Sequence, residues 1–166
     1  MIIGMSKPIK FKFASYTIQK LDGVEFSHTF CMFFSESLNR WLVYHATSDG
    51  VYFVGLEEFL KHNEIIKQKE VILTETERIM ALRFCIDNSG KPYGYTQLLG
   101  IGVIKIAAKI NIQIVENPFA DGSTTFVCTE TMLRMLVLIG KTKATNFDTI
   151  SLKQLDHIIF HEMKAR

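Results

Sequence analysis

An α+β domain with an antiparallel sheet is the fold class this sequence predicts, on three observations. Short, aromatic-rich apolar runs bounded by turn signals fill much of the first half of the chain. Helical periodicities dominate the second half. The connections between the early runs are too short for crossovers, so neighbouring strands must run antiparallel. The 166 residues, 48% apolar and 22% charged, suffice for one domain with a sizeable core. The span 1–166 is read as that single domain.

Taken in order, Ile9 to Ile18 alternates loosely and reads as an opening strand, closed by the Asp22-Gly23 turn. Phe26 to Phe34 reads as a strand buried on both faces. Ser35 to Arg40 is a polar turn, Trp41 to Thr47 a second strand, Ser48-Asp49-Gly50 a turn, and Val51 to Val54 a third strand. Together these form a meander. Leu56 to Lys61 is a short helix, and Val71 to Leu73 a further strand. Thr74 and Glu77 have capping-box spacing and open a helix to about Cys85. Asn88 to Pro92 breaks it. Tyr95 to about Lys109 is helical. Asn117-Pro118 and Asp121-Gly122-Ser123 mark a loop. A strongly apolar helix then starts at Thr125 or Phe126 and ends at Gly140, where glycine suits the C-terminal position. Ser151 caps a last helix to Glu162. Strands come first and helices second.

Composition excludes several functions. Lys and Arg total 19 against 17 Asp and Glu, a net charge of +2 with no basic run, so nucleic acid is not an expected partner. Three cysteines, Cys31, Cys85 and Cys128, are odd in number and irregular in spacing, a poor disulfide framework with no zinc-type pair. Free thiols fit a reducing compartment such as a bacterial or infected-cell cytoplasm. Met1 to Lys12 has no signal-peptide core, and the apolar stretch Leu98 to Val115 is broken by Lys105, Lys109, Asn111 and Gln113, so no transmembrane segment is expected. No phosphate loop or dinucleotide fingerprint occurs. No metal or organic cofactor is called for.

Cys128 stands out because a loop precedes it and an apolar helix follows. In the first turn of a helix, free N–H groups and the positive dipole end stabilise a thiolate, and the same groups can receive an oxyanion. The plain alternative is a buried structural cysteine. His28 opens a hydrophobic strand, where its imidazole can act as base toward a thiol; it can equally be an ordinary strand-edge histidine. His45 ends the next strand. If the two strands pair as a hairpin, His28 and His45 share one edge, and His45 can orient His28. Tyr93, in Gly90-Lys91-Pro92-Tyr93-Gly94-Tyr95, can support an oxyanion or pack in a turn. Cys31 and Cys85 read as core residues. His62, His157 and His161 read as surface residues, the i, i+4 spacing of the last two notwithstanding.

Several segments, in this order, resemble one family. Phe26-Ser27-His28-Thr29-Phe30-Cys31 is similar to its "SHvgi" strand, Trp41 to Leu60 to a stretch ending in "GV…L.eFl", Gly90 to Tyr95 to "G.pY", Phe126-Val127-Cys128-Thr129-Glu130 to "yvCSEl", and Thr149 to Leu155 to "tP.dL". The chain thus resembles the permuted NlpC-type papain-like cysteine hydrolases, the YiiX/YebB-like enzymes, which are related to the lecithin retinol acyltransferase-like proteins. The likeness spans roughly residues 20–160. Thr129 replaces the usual Ser, and the His28 to His45 interval is longer than in the acyltransferase branch. The resemblance implies a permuted papain-like fold, Cys128 as nucleophile, His28 as base, His45 as third residue, and Tyr93 and Thr129 near the oxyanion.

The implied reaction is cleavage of an amide, peptide, isopeptide or ester bond through a Cys128 thioester, on a peptidoglycan-type peptide or an acyl substrate. Two alternatives stand beside it. One is a lipid acyltransferase or phospholipase on the same residues, with Phe13, Phe33, Phe34 and Trp41 lining an acyl pocket. The other is a non-catalytic binding or structural module of the same fold. A deamidase or deconjugating enzyme acting on a protein is a further variant of the hydrolase. Oligomeric state is not legible.

Overall fold

The computed structural model describes residues 1–119 and 125–163. The predicted Asp121-Gly122-Ser123 turn lies outside them. The described chain forms β1 (Ile2–Pro8), α1 (Phe13–Asp22), β2 (His28–Ser35), β3 (Arg40–Thr47), β4 (Gly50–Gly55), α2 (Leu56–His62), β5 (Asn63–Glu70), α3 (Glu75–Asn88), α4 (Tyr95–Lys109), α5 (Cys128–Leu138) and α6 (Leu152–His157), continued by a π-helical turn, Ile158–Glu162. The strands make one sheet in the order β4-β3-β2-β1-β5, antiparallel at every pairing. The chain is α+β, and β2, β3 and β4 form the expected meander.

The central strands β2 and β3 bury both faces, as alternation of side chains requires of a two-sided core. Cys31, Phe33, Tyr44 and Ala46 join the larger core under α5, with Met132, Leu133, Met135 and Leu136 wholly buried. Phe30, Met32 and Val43 face the other way onto Phe59 of α2. The Phe30 and Phe59 rings lie 4.8 Å apart. Gly4 of β1 makes room for Phe30: a Cβ there would stand 2.3 Å from the ring tip. Cys31 and Cys85 are buried free thiols, each 3.9 Å from the Met135 sulfur.

Several sequence expectations need correction. Ile9 to Ile18 is not a strand: β1 lies earlier, at Ile2–Pro8, and Phe13–Asp22 is helical, ended by Gly23 in the left-handed region (φ 66°). Val71 to Leu73 is irregular, and the fifth strand is Asn63–Glu70, a charged sheet edge paired with β1. Helices α1 and α2 are interleaved with the strands, so strands do not simply precede helices. The Thr74/Glu77 capping box forms, but α3 continues to Asn88. The α5 helix starts at Cys128 because Phe126 is held in an extended bridge to Tyr93. Ser151 caps α6 with Gln154 completing the box, and the helix widens to π after His157. No helix among the described residues is long and apolar enough to cross a membrane.

Candidate functional site

The site is assembled where the loop before α5 meets the start of β2. Gly90 N–H donates to Val51 O (2.7 Å) and Val51 N–H to Lys91 O (3.0 Å), so β4 anchors the Gly90 to Tyr95 segment. That segment in turn pins the approach to α5. Phe126 N–H donates to Pro92 O (3.2 Å), and Gly94 N–H donates to Phe126 O (3.0 Å). Two residues later the chain turns into α5 with Cys128 as its first helical residue. The helix start leaves backbone N–H groups without helical partners. The backbone N–H groups of Cys128, Thr129 and, from β2, Thr29 lie near the Cys128 sulfur and favour its thiolate form. The thiol thus lies beside the β2 backbone at Thr29, on the α5 side of the sheet.

The hairpin predicted from sequence sets the other half. Phe30 pairs with His45 across β2 and β3. His28, two residues earlier, lies on the same face, and its Nε2 is 3.2 Å from His45 Nδ1. His45 is buried, with its ring edge-on to Tyr52 and Phe59, each 5.2 Å away between centroids. Its Nε2 is buried with no oxygen or nitrogen partner among the described residues. Two aromatic rings at that distance suit a weak N–H···π contact. The bond runs in either direction according to the tautomers; where His45 carries its proton on Nε2, its Nδ1 accepts from His28 Nε2–H. In that tautomer His28 Nδ1 keeps a free lone pair, the form a base needs.

Electrostatics set the resting state as neutral. Burial, then the neighbouring His45 and Lys12, lower the His28 pKa to about 3. Burial lowers that of His45 to about 4. Burial raises the Cys128 thiol to about 11, an effect opposed by the three N–H groups and reinforced by Asp22. Thiol and imidazole are thus uncharged at rest, and the ion-pair form is disfavoured. Tyr93 lies beside Cys128. Burial, then that neighbour, push its phenol well above the usual range. The structure brings Cys128, Thr129 and Tyr93 together around one opening and joins His28 to His45, but it does not join the two sets: His28 shares the α2-facing side of the sheet with Phe30 and His45, Cys128 lies on the α5 side, and no hydrogen bond links them among the described residues.

That opening is a groove of about 410 Å³ between α1 and α4, floored by Cys128, Thr129, Ser27 and Tyr93. Its walls are almost wholly aliphatic and aromatic: Ile18 and Leu21 from α1, Leu98 and Ile101 from α4, Ile150 and Leu152 before and within α6. Asp22 and Lys105 cross it as an ion pair at 2.6 Å, and Asp22 also accepts the Lys153 N–H at 3.4 Å. Of the aromatic residues expected to line an acyl pocket, only Phe13 does so. Phe33 is in the core, and Phe34 and Trp41 line a separate depression beside α2, because β2 and β3 carry them to the far end of the sheet. His62, His157 and His161 are exposed, and no group of three or more metal-ligating residues occurs among the described residues.

Sequence reasoning missed the groove itself, Asp22, and Glu130. Glu130 is fully buried two residues after Cys128, with Oε1 bound to Arg134 at 2.6 Å. Burial, only partly offset by Arg134, raises its carboxyl pKa to about 7. Its position at the third residue of an apolar helix was the available signal. Compared with known proteins, the chain matches no family model and no curated protein by sequence.

Proposed function

We propose that this chain is a cysteine hydrolase of the permuted papain-like kind, which cleaves an acyl bond through a thioester on Cys128. The observation that carries the reading is the position of the thiol: at the first residue of α5, beside Thr129 and Tyr93, and open to an apolar groove. In the proposed sequence of steps, Cys128 attacks the carbonyl and gives its proton to the His28 imidazole, which turns from its resting place on the α2 side of the sheet to reach the sulfur. The N–H groups of Cys128 and Thr129 receive the developing oxyanion, aided by Tyr93. His28 then protonates the leaving group, and water, activated by the same imidazole, releases the acid. His45 holds the resting ring through the Nε2–Nδ1 bond. Because the resting pair is neutral, proton transfer accompanies attack instead of preceding it.

The groove favours an apolar acyl group over a peptidoglycan-type peptide, since its described walls offer a peptide few hydrogen-bonding side chains. The lipid-directed reading, acyl transfer or phospholipase action on the same dyad, gains weight for this reason. Hydrolysis of p-nitrophenyl esters of increasing chain length tests both. The expected result is a kcat/KM that rises with chain length and falls roughly a thousandfold or more in Cys128→Ala. Equal turnover by wild type and Cys128→Ala would leave the enzyme reading without support.

A further inference from the structure

The groove opens onto a face whose composition is unlike that of the rest of the surface. Helix α1 packs beside α4, and both present apolar side chains outward. Leu99, Val103, Ile106 and Ile110 recur at helical spacing along the exposed side of α4. Phe11 and Phe13 stand at 77% and 76% exposure at the start of α1. Single exposed apolar residues need no explanation, but a contiguous set of this size does.

Charge identifies the partner. Residues 1–21 contain four lysines and no acid, and residues 91–115 contain three lysines and no acid, although the chain as a whole is nearly balanced. Lys7 is paired with Glu64 and Lys105 with Asp22. Lys10, Lys12, Lys20 and Lys109 are exposed and make no ion pair among the described residues. Exposed aliphatic and aromatic side chains on the same chain segments as lysines that make no ion pair among the described residues match an anionic lipid surface. A second copy of the chain fits poorly, because a two-fold contact would set lysines against lysines.

We propose that the α1–α4 face docks on anionic membranes, its apolar side chains entering the acyl boundary and Lys10, Lys12, Lys20 and Lys109 meeting headgroup phosphates. Docking so placed brings the mouth of the groove, where Phe13, Leu99, Val103 and Ile106 are both lining and exposed, against the lipid. The inference stands on surface composition and does not depend on Cys128 being a nucleophile.

Co-sedimentation of the full chain with phosphatidylcholine vesicles, with and without phosphatidylglycerol, tests it. Binding is expected only to the anionic vesicles and is expected to weaken with salt. Each Lys→Glu change at Lys10, Lys12 or Lys109 should weaken it by roughly fivefold or more. Phe11→Ser with Ile110→Ser, both outside the groove, should also weaken it while leaving the thermal midpoint in place. Cys128→Ala should bind as wild type does. Failure of the wild type to sediment with anionic vesicles at low salt would overturn the proposal. So would undiminished binding by the folded Phe11→Ser/Ile110→Ser variant, or a wild-type dimer in light scattering that those changes dissolve.

Discussion

His45 makes the finest test of how the imidazole pair works. It does not line the groove, yet its Nδ1 is the hydrogen-bond partner of the His28 imidazole. Replacing it with Gln offers an amide in place of the ring and loses the edge contacts to Tyr52 and Phe59. His45→Gln is expected to lower kcat by roughly a hundredfold with little change in KM, since misplacing a reacting group penalises the transition state alone. Steady-state kinetics on the preferred ester measures the split. Gly4 gives a purely structural counterpart. Gly4→Ala must displace the Phe30 ring and should cost about 1–3 kcal/mol in denaturant unfolding. Single residues were also where the sequence was most legible. Cys128 announced its place at a helix start by a loop before and an apolar helix after, and His28 and His45 their nearness by their places at the open end of a readable hairpin. Asp22 and Glu130 were not legible, because only the packing of α1, α4 and α5 shows which acids end up beside the thiol.

Helix α5 ties the site to the core. Its first turn presents Cys128, and its next two turns bury Met132, Met135 and Leu136 against β2 and α3. Met135 fills the space between the Cys31 and Cys85 thiols. Met135→Ala should therefore cost about 2–5 kcal/mol, read from chemical denaturation, and should loosen the geometry of Cys128 with it. Strands and helices were unequally readable for physical reasons. The meander β2-β3-β4 was plain because turn residues bound each apolar run. Helix α1 was misread because Ile9, Phe11 and Phe13 alternate with lysines, a pattern of period two, and because Lys12 at its start offers no side-chain cap. Strand β5 was missed because Asn63–Glu70 is mostly polar, as an edge strand exposed to water can be.

Across the whole molecule, burial of the histidine pair makes stability depend on pH. Both pKa values lie below the ordinary value near 6.5, so the unfolded chain binds more protons as pH falls. Their contribution is complete above about pH 6.5 and is lost progressively toward pH 4 and 3. Glu130 works the other way. Its raised pKa stabilises the fold fully below the ordinary carboxylate range and is lost as pH rises through about 7. Two histidines outweigh one carboxyl between pH 7 and 5, so the thermal midpoint is expected to fall over that interval. A His45→Gln variant should show a shallower decline in calorimetry. The fold class was readable from the apolar runs, but the groove was not, since it is made by α1 and α4, helices separated in the chain by β2 to β5.

The account turns on acyl transfer to one sulfur among three. Brief reaction with an activated long-chain acyl ester, followed by peptide mapping of wild type and His28→Ala, reads this directly. The account predicts a thioester on the peptide carrying Cys128, none on those carrying Cys31 or Cys85, and slow formation in His28→Ala. An acyl group spread over all three cysteines, or formed on Cys128 at the same rate without His28, would contradict it.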